Sequence, residues 1–120
     1  MKHLNTAIHK EPKKVLVRNG KTTRDILSDD IYYIESSNRK VILYLNHEKI
    51  EYYDKISYLE GKLRPDFFRI HKGYLVNMKY VEQYNRTEVR MKNGDSLPVS
   101  KYKYQDFVKS YQEYIANNDI

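Results

Sequence analysis

The residues best suited to catalysis or ligand binding lie in one apolar segment, residues 67–81, which reads FFRIHKGYLVNMKYV. Its first half carries Arg69, His71 and Lys72, whose side chains could bind an anion or transfer a proton. Gly73 follows them and favours a bend or a tight turn, so the apolar residues on either side are predicted to form two strands. The segment therefore predicts a loop that carries His71 and Lys72 outward and suits insertion into a groove.

The apolar residues of this segment also predict how its strands are oriented. Alternation puts Phe68 and Ile70 on one face of the first strand, with Phe67 and the cationic side chains on the other face. Asn77 lies among apolar neighbours in the second strand. Because a buried amide must be hydrogen-bonded, we predict that Asn77 binds nearby loop backbone and has a structural role.

A catalytic role for His71 is an alternative that the same residues leave open. With Glu35 or Asp66, His71 could act as an acid–base pair in RNA cleavage. The other histidines lie near the N-terminus or at His47, in a predicted turn, and no glycine-rich phosphate loop, nucleophile elbow or metal-ligand motif is present. The sequence has no Cys, which excludes a thiolate nucleophile, a disulfide and a Cys-based metal site. We expect a structural hydrogen bond at His71, no enzymatic activity, no cofactor and no metal.

Two further segments combine cations with residues that favour turns or helix starts. In SSNRKV, residues 36–41, Asn38 and Arg39 favour a turn, and Arg39 suits a guanine edge or a phosphate. In SKYKY, residues 100–104, the Ser100 hydroxyl and the amides of a following helix could bind a phosphate, with the two lysines adding charge. A capped helix start with solvated lysines explains SKYKY equally well.

Length and charge set bounds on the class of protein. The chain has 120 residues, a formal net charge of +6 and no Cys, which suits one domain in a reducing compartment. Residues 65–103 hold eight cations and four anions, and this local excess favours a polyanionic partner. No apolar run approaches the length of a membrane span, and the N-terminus lacks an apolar signal region. We expect a soluble cytoplasmic protein without membrane insertion.

Three hairpins are predicted from turn residues between apolar segments. Their turns are expected at residues 19–20, 46–48 and 93–94, with the arms of the second at 40–45 and 49–53. Pro98 marks the last return strand as an edge strand. A further short strand is expected at residues 29–36. Together these signals predict a mainly β fold of small antiparallel sheets.

Two segments switch to helical spacing. Ile56, Leu59 and Leu63 recur at intervals of three and four. This spacing predicts one short internal helix with Asp54 as its N-cap and Pro65 as its stop. A C-terminal helix beginning near Ser100 and packed on the sheets is predicted from four further residues, Phe107, Val108, Tyr111 and Ile115.

The order of these motifs resembles the LytTR family of DNA-binding domains. The matching motifs are the acidic strand YIES, the segment FFRIHKGYLVN, the NG hairpin and the segment PVSKYKY, and the similarity runs from about Val15 to Ile115. We therefore divide the chain into a flexible lead-in or linker at 1–14, a domain at 15–116 and a tail at 117–120. The resemblance implies an elongated arrangement of three small antiparallel sheets with short helices.

The resemblance also implies a function. It predicts a sequence-specific transcription regulator, either the output domain of a two-component response regulator or a stand-alone regulator, that binds duplex DNA through loops in successive major grooves. Promoter DNA, often with direct repeats and often bent, is the implied partner, with a dimer on DNA and a receiver domain or inhibitor protein as further partners. The implied base contacts are Arg39, Lys72 and Lys101, and the implied backbone contacts are Lys40, His71, Ser100 and Lys103.

A protein-interaction module is the second class of function that the residues leave open. The chain has 13 Tyr, three Phe and no Trp, a balance that gives a Tyr-rich surface. Such a surface could contact a protein partner, including an inhibitor. Flat DNA titrations together with capture of one protein partner would favour this alternative.

Overall fold

The computed structural model describes residues 13–118. Within that range the strands are β1 (Lys14–Asn19), β2 (Thr22–Leu27), β3 (Tyr33–Ser37), β4 (Lys40–Tyr44), β5 (Lys49–Tyr53), β6 (Phe67–His71), β7 (Tyr74–Asn77), β8 (Val81–Tyr84), β9 (Glu88–Met91) and β10 (Ser96–Pro98). The α-helices are α1 (Ile56–Lys62) and α2 (Tyr104–Asn118), and single-turn 3₁₀ helices lie at Ser28–Asp30 and Met78–Tyr80. Most of the predicted lead-in, and residues 119–120 of the predicted tail, lie outside the described residues.

The strands form three small antiparallel sheets. One contains β1 and β2, one has the order β10-β9-β8, and the central sheet has the order β5-β4-β3-β7-β6. The molecule measures 47 × 37 × 24 Å along its principal axes. The predicted mainly β, elongated fold is therefore confirmed, as is the edge position of Pro98 in β10.

The first hairpin turn lies one residue later than predicted. The pairing of Asn19 with Thr22 leaves Gly20 and Lys21 as the two central residues. Gly20 has φ of +65°, a left-handed conformation that glycine adopts without a steric penalty. Asn19 instead ends β1, because a single glycine at the first central position is enough for a tight hairpin turn.

Side chains of the central sheet alternate between two apolar cores, one on each face. In β3, Ile34 belongs to the first core, against the β1–β2 sheet and α1, and Tyr33 belongs to the second core, against the β8–β10 sheet and α2. The predicted opposite orientations in β6 are confirmed, since Phe67 packs in the first core and Ile70 in the second. Because β3 is covered on both faces, its position and that of the turn after it are fixed.

Asn77 connects the central sheet to the segment that enters it. Its side-chain Nδ2 donates to the carbonyl oxygens of Ser28 at 3.3 Å and Ile31 at 3.0 Å. Its Oδ1 accepts from the backbone N–H of Lys79 at 3.1 Å. The side chain is 1% exposed, so the predicted structural role of this buried amide is confirmed.

Helix α1 has the predicted buried face but a different start. Leu59 and Leu63 are fully buried in the first core. The predicted N-cap, Asp54, is wrong by one residue, because the N-cap is Lys55. The Asp54 carboxylate accepts from the Lys55 N–H at 2.7 Å and so binds the amide just before the helix. The helix ends at Lys62, before Pro65, as expected.

Helix α2 packs on the second core through aromatic side chains. The ring of Phe107 is fully buried and meets Phe68 at 5.6 Å and Tyr84 at 5.2 Å, both edge-to-face. The spacing predicted a packed Ile115, which is 43% exposed. Tyr114 packs against the core in its place. The predicted C-terminal helix is thus present, with its buried face rotated slightly from the expected one.

Candidate nucleic-acid interface

Two turns lie at the same end of the central sheet. The pairing of Ser37 with Lys40 closes the turn at residues 38–39, and the pairing of His71 with Tyr74 closes the turn at residues 72–73. Strands β3 and β7 pair so that the end of one faces the start of the other. A hydrogen bond of 2.9 Å from the Ser36 N–H to the Gly73 carbonyl joins the end of β3, just before the first turn, to the second turn.

The segment before α2 extends this end of the sheet beyond β6. The Ser100 N–H donates to the Ile70 carbonyl at 2.8 Å, at the irregular register between Arg69 and His71. Residues 100–103 therefore continue the row of turns sideways. We call the turns at 38–39 and 72–73 together with residues 100–103 the cationic edge.

The cationic edge has a length set by strand spacing. Neighbouring strands lie about 4.8 Å apart, so the turn at 38–39, between β4 and β3, is about 10 Å from the turn at 72–73, between β7 and β6. Residues 100–103 lie one position beyond β6, which makes the whole row about 17 Å long. Arg39, Lys72 and Lys101, which the sequence assigned to separate segments, thus lie along one edge.

The turn that carries Lys72 is fixed by its neighbours. The Arg69 guanidinium donates to the Lys72 carbonyl at 2.6 Å and to the Glu60 carboxylate of α1 at 3.2 Å. The Gly73 N–H donates to Nδ1 of His71 at 3.0 Å. The φ of Gly73 lies outside the left-handed region, so these hydrogen bonds, and not an unusual glycine conformation, define the turn. Sequence reasoning missed the role of Arg69, whose hydrogen-bond partner is a backbone carbonyl.

His71 has the predicted structural hydrogen bond. Because its Nδ1 accepts the Gly73 N–H, the neutral ring carries its proton on Nε2. Glu35, one carboxylate of the catalytic alternative, accepts from the hydroxyls of Tyr44 at 2.7 Å and Tyr74 at 3.4 Å. Asp66, the other carboxylate, precedes β6, about 16 Å along the strand from His71. The geometry therefore forms neither acid–base pair.

The turn at 38–39 contains a left-handed Asn38 and presents Arg39 next to it. Asn38 has φ of +59°, the left-handed region that Asn tolerates better than most residues. Arg39 follows it and is exposed. Lys40, the first residue of β4, lies 4.0 Å from the Glu51 carboxylate and 4.9 Å from the centre of the Tyr53 ring. Lys40 is thus partly neutralised, whereas Arg39 extends from the tip.

The other cations of the edge are exposed and have no ion pair within residues 13–118; they are Lys72, Lys101 and Lys103. Between the two lysines of the last segment, Tyr102 is 86% exposed, with Lys101 Nζ 5.8 Å from its ring centre. The alternation of Lys and Tyr was the sequence signal for this residue. Ser100 is half-buried, and its hydroxyl makes no hydrogen bond within the described residues.

The opposite end of the central sheet has paired charges. Arg24 meets Glu48, in the β4–β5 loop, at 3.0 Å, and Lys79 meets Asp29 at 3.6 Å. The hydrogen bond and charge of Arg24 lower the pKa of Glu48 from its usual value. Lys49, also at this end, is exposed and has no ion pair within residues 13–118, so the cationic edge is distinguished by its concentration of unpaired cations, as expected of a surface that binds a polyanion.

The hydroxyl and the ring of Tyr33 fix the central sheet behind the cationic edge. The Tyr33 hydroxyl donates to Asp95, in the β9–β10 loop, at 2.8 Å, and its ring stacks on Tyr44 at 4.3 Å. Burial, followed by the hydrogen bond to Asp95, raises the pKa of Tyr33 above its usual range. The central sheet and the β8–β10 sheet are thereby connected by a hydroxyl that stays protonated at neutral pH.

The described residues lack a metal-binding cluster and a membrane-spanning helix. Residues 13–118 contain no group of three or more His, Asp or Glu that could bind a metal ion. None of the helices in the same range is long and apolar enough to cross a membrane.

The family model of the LytTr DNA-binding domain matches residues 21–112, and this chain belongs to that LytTR family. Its fold is also that of a solved structure from Bacillus cereus, the LytTr DNA-binding domain of a methyl-accepting/DNA response regulator. The two share 19% sequence identity and superpose with a TM-score of 0.70, over 84% of this chain and 97% of the other. No curated protein sequence matches this chain at a significant level.

Proposed function

We propose that this protein is a sequence-specific transcription regulator that binds double-stranded DNA along the cationic edge. The observation that carries the proposal is the set of unpaired cations on turns at one end of the central sheet. A row of exposed Lys and Arg on a fixed framework suits phosphates and guanine edges, because phosphate contacts supply affinity and base contacts supply specificity. Membership of the LytTR family supports the same conclusion.

Each side chain of the edge has a chemical role in this proposal. Arg39 donates two hydrogen bonds to O6 and N7 of a guanine, and Lys72 and Lys101 donate to the same kind of base edge. Lys40, Ser100 and Lys103 bind phosphates. His71 donates from Nε2 to a phosphate oxygen, since its Nδ1 already accepts from Gly73.

The length of the row bears on how the DNA is approached. The row is about 17 Å long, whereas major-groove openings on one face of B-DNA are about 34 Å apart. Long side chains at both ends extend the reach, and a bend toward the protein brings the two grooves closer. We therefore propose that bent DNA presents neighbouring major grooves to the row, with Arg39 and Lys101 at its two ends in different grooves and Lys72 donating to a base at the near side of one of these grooves.

The biological setting is part of the same proposal. A DNA-binding regulator acts in the bacterial cytoplasm, as the output domain of a response regulator or as a stand-alone regulator. Direct repeats in the promoter would let two copies bind side by side. A receiver domain or an inhibitor protein would then control access to the cationic edge.

Selection of bound duplexes from a random library tests the function and reports the recognised sequence. The proposal predicts enrichment of a defined sequence, and a binding constant for it that falls steeply with salt. Libraries without enrichment, together with flat titrations on many promoters, would reject the proposal. Capture of one protein partner in that case would support the protein-interaction alternative.

A further inference from the structure

The cationic edge continues past Arg39 into a cleft between β1, the end of β5 and α1. We propose that this cleft, which we call the flanking cleft, binds the DNA backbone beyond the bases that the turns contact. The inference rests on the proposed function and adds a second, sequence-independent part to the DNA surface. The cleft has a volume of about 770 Å³, and the residues that form the proposed surface are Arg18, Arg39, Tyr53, Lys55, Tyr58 and Lys62.

Continuity with the cationic edge follows from strand pairing. Tyr53 pairs with Lys40, so the end of β5 lies beside the turn at residues 38–39. Arg39 lines both the flanking cleft and the smaller hollow next to Lys40. A DNA strand that meets Arg39 would therefore reach the cleft without a gap.

One wall of the cleft is the outer face of α1. Lys55, Tyr58 and Lys62 follow at intervals of three and four, so they lie on the same side of the helix. Leu59 and Leu63 are buried in the first core, whereas Lys55, Tyr58 and Lys62 are exposed. Tyr58 is 59% exposed, and its hydroxyl makes no hydrogen bond within the described residues.

The other wall is the outer face of β1. Val15 and Val17 point into the first core, and alternation leaves Leu16 and Arg18 outside. Leu16 is 48% exposed and gives this wall an apolar floor beside the guanidinium of Arg18. Arg18 lies before residue 21, where the family match begins, so its contact is not part of what that match describes.

The charge of the cleft favours a DNA backbone over an acidic protein partner. An acidic protein surface would be bound by ion pairs at isolated points only. Within residues 13–118, no carboxylate forms an ion pair with Arg18, Lys55 or Lys62. The carboxylate in the lining, Asp54, accepts from the Lys55 N–H. Cations without ion pairs next to Arg39, with two exposed tyrosines in the same lining, suit the phosphates of a backbone that is already bound at Arg39.

Removal of two charges from the cleft tests the inference. The variant Arg18→Gln with Lys55→Gln is compared with Arg24→Gln plus Lys79→Gln, which removes the same charge from the opposite end of the sheet. Binding to a selected duplex and to an unrelated duplex is followed by fluorescence anisotropy between 50 and 200 mM salt. Thermal melting of each variant checks that the fold is intact.

The expected result is a change in salt dependence. The slope of log K against log salt is negative, and each lost phosphate contact reduces its magnitude by about 0.9, so the magnitude should fall by about 1.8 in the cleft variant and hardly at all in the control. Affinity for the two duplexes should fall by the same factor. Shortening the duplex on the cleft side should reduce the magnitude of the salt slope for the wild-type protein. The salt slope of the cleft variant should not change.

A failure of the flanking-cleft proposal and a failure of the proposed function give different results. If the wild type binds the selected duplex and the cleft variant keeps its slope, or changes only as much as the control, the flanking cleft is not a DNA surface. If the wild type binds no duplex, the proposed function fails before the cleft is tested.

Discussion

Arg69 affects the cationic edge without being one of the proposed DNA contacts. Its guanidinium bonds both the Lys72 carbonyl and the Glu60 carboxylate, and so fixes the turn at 72–73 relative to α1. Its Nε is buried without a hydrogen-bond partner in the described residues, which is a cost that the two other contacts offset. We regard Arg69 as a positioning residue for Lys72.

Replacing Arg69 by Lys should loosen this turn. The ammonium keeps the charge but cannot bridge the Lys72 carbonyl and Glu60 as a planar fork does. We expect a loss of about 1 to 3 kcal/mol in unfolding free energy, measured by urea titration, and faster hydrogen exchange at the Gly73 amide. DNA affinity should fall while its salt slope stays constant. Unchanged exchange at Gly73 would show that the turn is fixed by other contacts.

At the scale of elements, Asn77 joins β7 to the segment between β2 and β3. Replacing it by Ala leaves the Ser28 and Ile31 carbonyls without their side-chain donor in a buried site. We expect a loss of about 1 to 3 kcal/mol in unfolding free energy by urea titration. Asn46→Ala, at an exposed loop position, is the control and should change it by less than about 0.5 kcal/mol. Equal effects at both positions would contradict the structural role of Asn77.

The contact between Tyr33 and Asp95 predicts sensitivity of the assembled sheets to alkali. Burial raises the folded-state pKa of Tyr33 and Tyr44, whereas an unfolded Tyr titrates near its ordinary value of about 10. Above that pH the unfolded state loses protons first, so the free energy of unfolding should decrease as pH rises. Urea titrations from pH 8 to 11 check this. A Tyr33→Phe variant should show a weaker decrease, and identical pH profiles would contradict the assignment.

Sequence patterns predicted the elements whose signals are local. The hairpin at residues 93–94, the edge strand at Pro98 and the buried stripe of α1 depend on neighbours within a few positions. The turns at 38–39 and 72–73 lie side by side because β3 pairs with β7, some forty residues away in the sequence. No local pattern encodes that pairing. The Arg69 contact with a carbonyl could not be predicted either, because it depends on the backbone path of the turn.

At the scale of the whole molecule, four exposed cations without an ion pair in residues 13–118, Arg39, Lys72, Lys101 and Lys103, are gathered at one end of the central sheet. The cationic edge at this end is shorter than the distance between major-groove openings on straight DNA. Binding should therefore bend the duplex toward the cationic edge, which energy transfer between dyes at the two duplex ends would report as a shorter end-to-end distance. An unchanged distance in a saturated complex would mean that the edge contacts one groove region only.

The most direct measurement is a binding titration of Arg39→Ala, Lys72→Ala and Lys101→Ala on a selected duplex, with Arg24→Ala as the charge-matched control. Loss of a base contact should cost each variant about 1 to 3 kcal/mol and relax selectivity at one base position, while the control binds as the wild type does. Equal binding by all four variants and the wild type would contradict the cationic edge as the DNA surface.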